Sequence, residues 1–272
     1  MKKLVVVMAV VAGTLAAFAE GSALRDRIAK EHKILKEESW QGFHRVEFDF
    51  GGHVASVVEP SAPAAEGRPW TWTIQWWHAF VDRTGVPDLL KRGFHHVWID
   101  LFETRMNEEG LAAAAAYQDF LVKELGFAPK ANLIGMSWGG FFSTRYAAAH
   151  PENVGRIYYD APLLSFDGFG NPSYGRIGWW ANNLPKDGNW AADPRMPVNM
   201  AEKIAAAKIP IFVLYGGADR VVPPEKNIEV FLPRFKAAGG VAQVEKRGLF
   251  GHHPHGLDPN KTSAIVNFFM GR

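Results

Sequence analysis

The segment LIGMSWGGFFSTRYAAAH, which runs from Leu133 to His150, places a serine between glycines where an apolar run gives way to a helical pattern. Gly135, Ser137 and Gly139 match G-x-S-x-G, a pattern typical of a sharp strand-to-helix turn that exposes a serine hydroxyl. Because backbone atoms crowd such a turn, we expect a Cβ at Gly135 or Gly139 to clash, and Gly140 to add room. The motif by itself fits two interpretations: a nucleophilic Ser137, or a turn that is merely tight.

The chain on both sides of this segment alternates apolar runs with helical patterns. The runs are nearly continuous, which is typical of parallel strands covered by helices on both faces. Upstream, HRVEFDF and HVASVVEP flank Gly51 and Gly52 and predict an antiparallel hairpin. Residues 22–39 predict a charged amphipathic helix that begins at Ser22. The sequence therefore predicts the α/β class, with a mostly parallel sheet, an N-terminal antiparallel hairpin and helices on both faces.

A segment rich in Gly, Pro, Asn and Trp, over about residues 165–198, interrupts the alternation. Segments this long are usually lids or binding loops, and ligands of open α/β sheets bind beyond the carboxyl ends of the strands. We therefore expect a lid insertion over Ser137. Its predicted pocket-lining residues are Tyr174, Trp179, Trp180 and Trp190, with Asn182 and Asn183 as polar contacts. The alternative is that the tryptophans only fasten the lid to the body.

The candidate acid for a serine nucleophile follows an apolar strand that ends in VLYGG. Asp219 lies in the turn after this strand. A carboxylate at this edge of the sheet can orient a histidine and stabilise its imidazolium. A competing interpretation is that Asp219 only caps the turn before Pro223. Asp160, at the end of the preceding strand, is the alternative acid.

The candidate base lies in the segment GLFGHHPHGLDP, between a strand and the last helix. It carries His252, His253 and His255. A general base on this loop can take the proton of a serine nucleophile. The cluster also fits a metal site, but we predict no metal because Asp258 is the only acidic residue that stands beside it.

The elbow GMSWGG, the acid loop GGADRVVPP and the histidine loop GHHPH follow the order serine, aspartate, histidine. In these motifs the chain resembles the α/β-hydrolase superfamily, from the opening hairpin to the last helix. Within the superfamily it resembles the secreted serine esterases and prolyl-oligopeptidase-like proteins, a branch that includes carbohydrate esterases. The resemblance implies the α/β-hydrolase fold, with Ser137 as nucleophile, Asp219 as acid and His252 as base. His253 and His255 remain the alternative bases.

One stretch departs from the pattern of the superfamily, which often has His-Gly after the third strand, where a backbone N–H completes the oxyanion hole. Here the corresponding stretch is QWWHAF, without glycine. Backbone amides need no particular side chain, so we predict that the N–H groups of Trp138 and Trp77 form the oxyanion hole. His78 is the alternative to Trp77.

The first residues predict export. MKK, an apolar run and Ala17-Phe18-Ala19 together indicate a cleavable signal peptide over residues 1–19, which leaves a hydrolase domain over residues 20–272. The domain is predicted to be secreted or periplasmic, with no membrane association after cleavage. With 30 basic and 28 acidic residues, two of the basic ones in the signal peptide, the charges balance and predict no nucleic-acid partner. No cysteine is present, so the core must suffice without disulfides.

The predicted function is hydrolysis of a carboxylic ester through a Ser-His-Asp acyl-enzyme mechanism. The expected substrate is a small-molecule or saccharide ester, with the acyl group carried on a carbohydrate, and no cofactor is expected. Three alternatives stand beside it: a serine peptidase of the prolyl-oligopeptidase type, a non-catalytic glycan-binding protein that uses the tryptophan lid, and a zinc enzyme that uses the histidine cluster. Arg145, two helical turns beyond Ser137, is expected to pair within the helix layer.

Overall fold

A computed structural model describes residues 23–61, 63–168 and 177–272. The predicted signal peptide over residues 1–19 and the predicted pocket residue Tyr174 lie outside the described residues. Within the described ranges, the helices are too short or too polar to span a lipid bilayer.

The described residues form a nine-stranded sheet in the order β1-β2-β3-β5-β4-β6-β7-β8-β9. The strands are β1 (Ile34–Trp40), β2 (Phe43–Phe50), β3 (His53–Val58), β4 (Trp70–Thr73), β5 (His95–Ile99), β6 (Ala131–Met136), β7 (Val154–Asp160), β8 (Ile211–Gly216) and β9 (Ala242–Arg247). The first three strands and the β3–β5 pair are antiparallel, whereas every pair from β5 to β9 is parallel. The predicted mostly parallel sheet with antiparallel N-terminal strands is confirmed.

Helices cover both faces of the sheet, as expected. They are α1 (Val86–Lys91), α2 (Glu108–Lys123), α3 (Trp138–Ala149), α4 (Ala201–Ala206), α5 (Ile228–Ala237) and α6 (Ser263–Phe269). One apolar core lies under α2, α3, α4 and α5, and a second lies under α1 and α6. Because side chains alternate along a strand, Val213 of β8 enters the first core and its neighbour Leu214 the second. Two buried faces explain why the parallel strands read as continuous apolar runs.

The predicted helix over residues 22–39 is wrong in its second half. Residues 23–28 are helical, but Ile34–Trp40 forms the edge strand β1, antiparallel to β2. Charged side chains are favourable on this edge strand because they can form ion pairs with the neighbouring strand. Glu38 of β1 lies 2.6 Å from the guanidinium of Arg45 on β2. Pairing with a neighbouring strand therefore overrides the helical preference of a Lys- and Glu-rich segment.

The turn between β6 and α3 is crowded at Gly135 and Gly140 but not at Gly139. A Cβ at Gly135 would lie 2.9 Å from the carbonyl oxygen of Gly139, and a Cβ at Gly140 would overlap the ring of Pro162. At Gly139 the nearest atom is 3.6 Å away, an ordinary contact, so the expected clash at this position is wrong. The glycine that lets the segment after β7 approach the helix is therefore Gly140.

Alanine substitution at Gly139 and Gly140 should distinguish the effect of steric crowding on stability from the effect of helix propensity. We expect Gly140→Ala to lower the free energy of unfolding by about 1–3 kcal/mol, because the new methyl group meets Pro162. The matched control Gly139→Ala should leave stability unchanged or raise it by up to about 1 kcal/mol, since alanine favours a helix. Urea unfolding measures both variants. Equal effects of the two substitutions would contradict the crowding at Gly140.

Strand β5 carries two histidines whose rings are buried, His95 and His96. Burial lowers the pKa of both imidazoles to about 3, and the nearby charges of Arg68 and Arg45, respectively, act in the same direction. Both rings are therefore neutral in the folded protein at mildly acidic pH. In the unfolded chain a histidine takes up a proton near a pKa of about 6.5.

This difference predicts acid destabilisation over a defined range. As the pH falls from about 6.5 towards 3, the unfolded chain binds protons that the folded protein does not, so stability falls by about 1.4 kcal/mol per pH unit for each histidine. Urea unfolding as a function of pH should show this slope, and His95→Gln should reduce it by one histidine's share. His150→Gln, at a half-buried position, is the control. A slope unchanged in His95→Gln would disprove the assignment.

Candidate active site

Ser137 occupies the turn between β6 and α3 in a backbone conformation that L residues rarely adopt. Its φ is 50° and its ψ is −117°. The N–H of Ser137 donates to the carbonyl oxygen of Asp160 at 3.0 Å, and its own carbonyl accepts from Gly140 and Leu163, each at 2.9 Å. Hydrogen bonds to the end of β7 and to the turn after it therefore hold the serine in this strained position.

The acid turn after β8 and the histidine loop after β9 are held together by their backbones. The N–H of Ala218 donates to the carbonyl oxygen of Phe250, and the N–H of Gly217 to that of Arg247, both at 2.9 Å. Gly216 is required by this approach, because a Cβ there would overlap the carbonyl oxygen of Phe250. The two loops therefore reach the carboxyl edge of the sheet as one unit.

Ser137, His252 and Asp219 lie in a hydrogen-bonded row. The Nε2 atom of His252 is 3.1 Å from Ser137 Oγ, and its Nδ1 atom is 2.7 Å from Asp219 Oδ2. The buried Asp219 also accepts the N–H groups of Val221 and Val222, at 2.8 and 2.9 Å. Burial alone raises the pKa of the Asp219 carboxyl, but the hydrogen bonds from His252 and the two amides outweigh it and hold the pKa below its usual value. An ionised Asp219 keeps the proton on Nδ1 and leaves the Nε2 lone pair for the serine.

A second aspartate–histidine pair lies beside this row. The Nδ1 atom of His255 is 2.7 Å from Asp160 Oδ1, and both residues are buried. The other oxygen of Asp160 accepts the Tyr158 hydroxyl and the N–H of Gly256. Asp160, the alternative acid of the sequence analysis, therefore bonds His255 and not His252.

The structure brings one of the three loop histidines to the serine. His255 is turned to Asp160, while His253 is exposed and stacks on the ring of Phe80 at 5.6 Å between centroids. Burial of part of its ring, followed by the neighbouring imidazoles, lowers the pKa of His253. Of the three loop histidines, His252 is therefore the one that forms a hydrogen bond with Ser137 Oγ.

A cavity of about 500 Å³ opens beside Ser137. Its walls are mostly apolar, and they are formed by Trp76, Ala79, Phe80, Phe102, Met136, Trp138 and Val221, with Arg105 and the loop histidines as polar members. Phe80, Phe102 and Arg105 were not predicted from the sequence. The signal that points to them is position, since all three follow β4 or β5 at the carboxyl edge where such sheets bind ligands.

Trp180 is a structural residue, which corrects its predicted role in substrate binding. Its indole is fully buried, and Nε1 donates to the carbonyl oxygen of Arg105 at 3.0 Å. The ring packs against Phe141 and lies 4.7 Å from the guanidinium of Arg145. With its one polar atom paired and no surface exposed, this side chain has nothing to offer a ligand.

Trp179 and Trp190, the other predicted lid tryptophans, lie among the described residues and do not line this cavity. Trp179 is half-buried and packs edge-on against Trp180, with 5.0 Å between ring centroids. Trp190 lies at a separate cavity of about 580 Å³ beside Phe166 and Val230. The alternative interpretation, that Trp179 and Trp180 fasten the lid to the body, is the one that the contacts favour.

Arg145 pairs with Glu108 of the neighbouring helix α2, as expected for a residue of the helix layer, and it also ties the lid to the body. Its guanidinium is almost fully buried and donates to the carbonyl oxygens of Met106 and Arg195, at 2.7 and 2.9 Å. It also pairs with Glu108 at 3.3 Å. Because Arg195 belongs to the lid and Met106 to the segment before α2, the pairing reaches further than the expected helix layer.

The predicted oxyanion donors are backbone amides near the serine. Trp138 is the first residue of α3, and amides in the first turn of a helix have no intrahelical acceptor. The side chain of Trp77 packs under the guanidinium of Arg45, 4.0 Å from its ring, and Trp76 rather than Trp77 lines the cavity. The assignment of the Trp138 and Trp77 N–H groups to an oxyanion hole stays a prediction.

Comparison with known families and structures bears on the fold. A family model described as the alpha/beta hydrolase fold matches residues 76–187, which include the serine elbow. Comparison with the curated proteins gave no match.

Solved structures share the architecture at low sequence identity. A putative dipeptidyl aminopeptidase IV from Bacteroides ovatus superposes with a TM-score of 0.66 and 13% identity, over 88% of this chain and 36% of that one. Dipeptidyl peptidase 4 from Porphyromonas gingivalis gives 0.61 and 14%, over 89% and 35%. An acylaminoacyl peptidase from Pyrococcus horikoshii gives 0.58 and 13%, over 89% and 41%. This chain thus spans well under half the length of each of these peptidases.

The sheet order, the serine elbow and these likenesses agree with one another. At 13–14% identity the likeness to the peptidases concerns the fold and not the substrate. The resemblance drawn from the three motifs is confirmed at the level of the fold: the chain has the α/β-hydrolase fold.

Proposed function

We propose that this chain is a serine hydrolase that works by acyl transfer, with Ser137 as nucleophile, His252 as general base and Asp219 as the acid that orients the base. The observation that carries the proposal is the hydrogen-bonded row, with 3.1 Å from Ser137 Oγ to His252 Nε2 and 2.7 Å from His252 Nδ1 to Asp219 Oδ2. A serine hydroxyl becomes nucleophilic when a base takes its proton. A merely tight turn would have no need of the other two groups.

The mechanism begins with attack of Ser137 Oγ on the carbonyl carbon of the substrate, while the hydroxyl proton moves to His252 Nε2. Backbone N–H groups of Trp138 and Trp77 are proposed to stabilise the oxyanion of the tetrahedral intermediate. The intermediate collapses, and the leaving alcohol takes the proton from His252. Water then gives a proton to His252 and attacks the carbonyl carbon of the acyl-enzyme. The second tetrahedral intermediate collapses, Ser137 Oγ takes the proton back from His252, and the carboxylic acid leaves. Ionised Asp219 stabilises the imidazolium in both halves, and no metal or cofactor takes part.

The proposed substrate is a small-molecule or saccharide carboxylic ester. A mostly apolar cavity of about 500 Å³ suits an aromatic or apolar group on the acyl side. The guanidinium of Arg105 in the same cavity can donate hydrogen bonds to an oxygen of the substrate. The saccharide part of the proposal rests on aromatic walls such as Trp76, since Trp180 does not reach the cavity. Export to the periplasm or the medium is proposed from the signal peptide predicted at residues 1–19.

A peptide substrate is the second candidate, and the solved peptidases of the same fold favour it. The same row of groups serves amide hydrolysis, with His252 giving its proton to a leaving amine. The non-catalytic alternative, a glycan-binding protein, has no use for an ordered serine, histidine and aspartate.

Fluorophosphonate labelling is the first test. We expect a covalent adduct on Ser137 in peptide maps by mass spectrometry, no adduct in Ser137→Ala, and slow labelling in His252→Gln, because the base activates the hydroxyl. Folding of each variant is checked by circular dichroism. Folded wild-type protein without an adduct would overturn the proposal and leave the glycan-binding alternative.

A substrate comparison then separates the two hydrolase candidates. Nitrophenyl esters, acetylated and feruloylated saccharides, and aminoacyl nitroanilides are assayed with wild type and Ser137→Ala. Because any serine hydrolase cleaves an activated ester more readily than an amide, the discriminating readout is turnover of the nitroanilides and of the acylated saccharides. We expect hydrolysis of the acylated saccharides and no nitroanilide rate above that of Ser137→Ala. Nitroanilide turnover that depends on Ser137, without turnover of the saccharide esters, would favour the peptidase.

Paired substitutions test which aspartate serves the base. Asp219→Asn should lower kcat by about 10⁴-fold, because the amide holds the imidazole in the wrong tautomer. Asp160→Asn leaves the 2.7 Å contact between Asp219 and His252 in place, so its effect on kcat should be far smaller. The measurement is steady-state kinetics of both variants, after near-ultraviolet circular dichroism has verified that each variant is folded. Loss of the same size in Asp160→Asn would make Asp160 the acid.

A further inference from the structure

We infer that His252, His253 and His255 form a binding site for zinc(II) and other divalent cations that favour imidazole, and that a bound cation blocks the hydrolase. The binding part of the inference stands on the geometry of the histidine loop alone. The inhibitory part rests on the proposed function, because it requires His252 to act as the base.

The three imidazoles lie close together and pack edge-on against one another. One nitrogen from each ring lies within 4.8 Å of the others, and the ring centroids are 4.8 to 4.9 Å apart. In a tetrahedral zinc site the Zn–N distance is about 2.0–2.1 Å, so neighbouring nitrogens lie about 3.4 Å apart. Small rotations must close the difference. His253 can supply them, because it is exposed and makes no hydrogen bond to the described residues.

Aspartate carboxylates hold two of the three rings at Nδ1. Asp219 accepts the Nδ1 proton of His252, and Asp160 accepts that of His255, each at 2.7 Å. A carboxylate that holds one nitrogen of a ligating histidine fixes the ring and leaves the other nitrogen as the donor to the metal. Catalysis uses one such pair, so the Asp160–His255 pair has no part in the proposed mechanism. In a shared metal site, both aspartate–histidine pairs would have the same role, which is to orient a ligating imidazole.

The ligand type determines which cations bind, and the position of the site beside Ser137 determines what a bound cation does to catalysis. Imidazole nitrogen favours zinc, copper and nickel, whereas magnesium and calcium favour oxygen ligands. Three protein ligands leave a fourth position for water, and the site borders the open cavity beside Ser137. A cation on His252 Nε2 replaces the hydrogen bond from Ser137 Oγ and removes the lone pair that must accept its proton.

Direct binding is tested first, because it does not depend on turnover. The purified, metal-stripped protein is titrated with zinc chloride by isothermal calorimetry in a non-coordinating buffer. We expect one zinc ion per chain, no binding of magnesium, and affinity lowered at least about tenfold in His253→Gln and in His255→Gln. His150→Gln, outside the cluster, should bind as wild type does. No saturable binding, or equal affinity in all of these variants, would overturn the inference.

Inhibition is then measured against each variant's own metal-free rate. Zinc should inhibit hydrolysis over the concentration range in which it binds, and a chelator should restore the full rate. His253→Gln should need at least about tenfold more zinc for half-inhibition. Because His253 is exposed, this variant keeps its fold, and near-ultraviolet circular dichroism verifies that. Binding without inhibition would keep the site and reject His252 Nε2 as a ligand, whereas absence of turnover in metal-free protein would count against the proposed function instead.

Discussion

The site depends on the register of three neighbouring parallel strands. Pairing of β6, β7 and β8 sets Met136 opposite Asp160 and Asp160 opposite Leu214, so these strands end side by side. The N–H of Ser137 continues the ladder by donating to the carbonyl of Asp160. A slip of one residue would turn every side chain of a strand to the other face of the sheet. Backbone hydrogen bonds between these strands thus place the nucleophile, the buried aspartate and the acid turn at the same edge of the sheet.

Residues that act within a short stretch of chain could be predicted from the sequence. Local sequence patterns identify the elbow around Ser137, the acid turn and the histidine loop. The structure brings their side chains within hydrogen-bonding distance of one another. The alternation of apolar runs and helical patterns gave the class of fold for the same reason. Prediction from local sequence fails where a residue distant in the chain determines the conformation. The segment Ile34–Trp40 has a helical composition, and only its ladder with β2 makes it a strand.

The same limit explains the errors in the site. A tryptophan in a long insertion reads equally well as a ligand contact or as an anchor, and Trp180 is an anchor because Arg105 and Arg145 meet it from other elements. Choice between Gly139 and Gly140 as the crowded position depends on Pro162, more than twenty residues away. Assignment of Asp160 to His255 likewise needed the fold, since the sequence offers two aspartates and three histidines without stating the pairs.

The contacts of Arg145 have a consequence for how a substrate reaches the serine. This side chain projects from the helix that begins just after the nucleophile, and it grips the lid segment at Arg195 and Trp180. The part of the lid from Ile177 onwards is therefore fastened to the nucleophile's own helix. Displacement of this part of the lid would break the buried hydrogen bonds of Arg145, whereas exposed side chains at the cavity, such as His253, reorient within nanoseconds. Substrate entry can therefore use side-chain motion at Val221 and His253 without displacing the residues from Ile177 onwards.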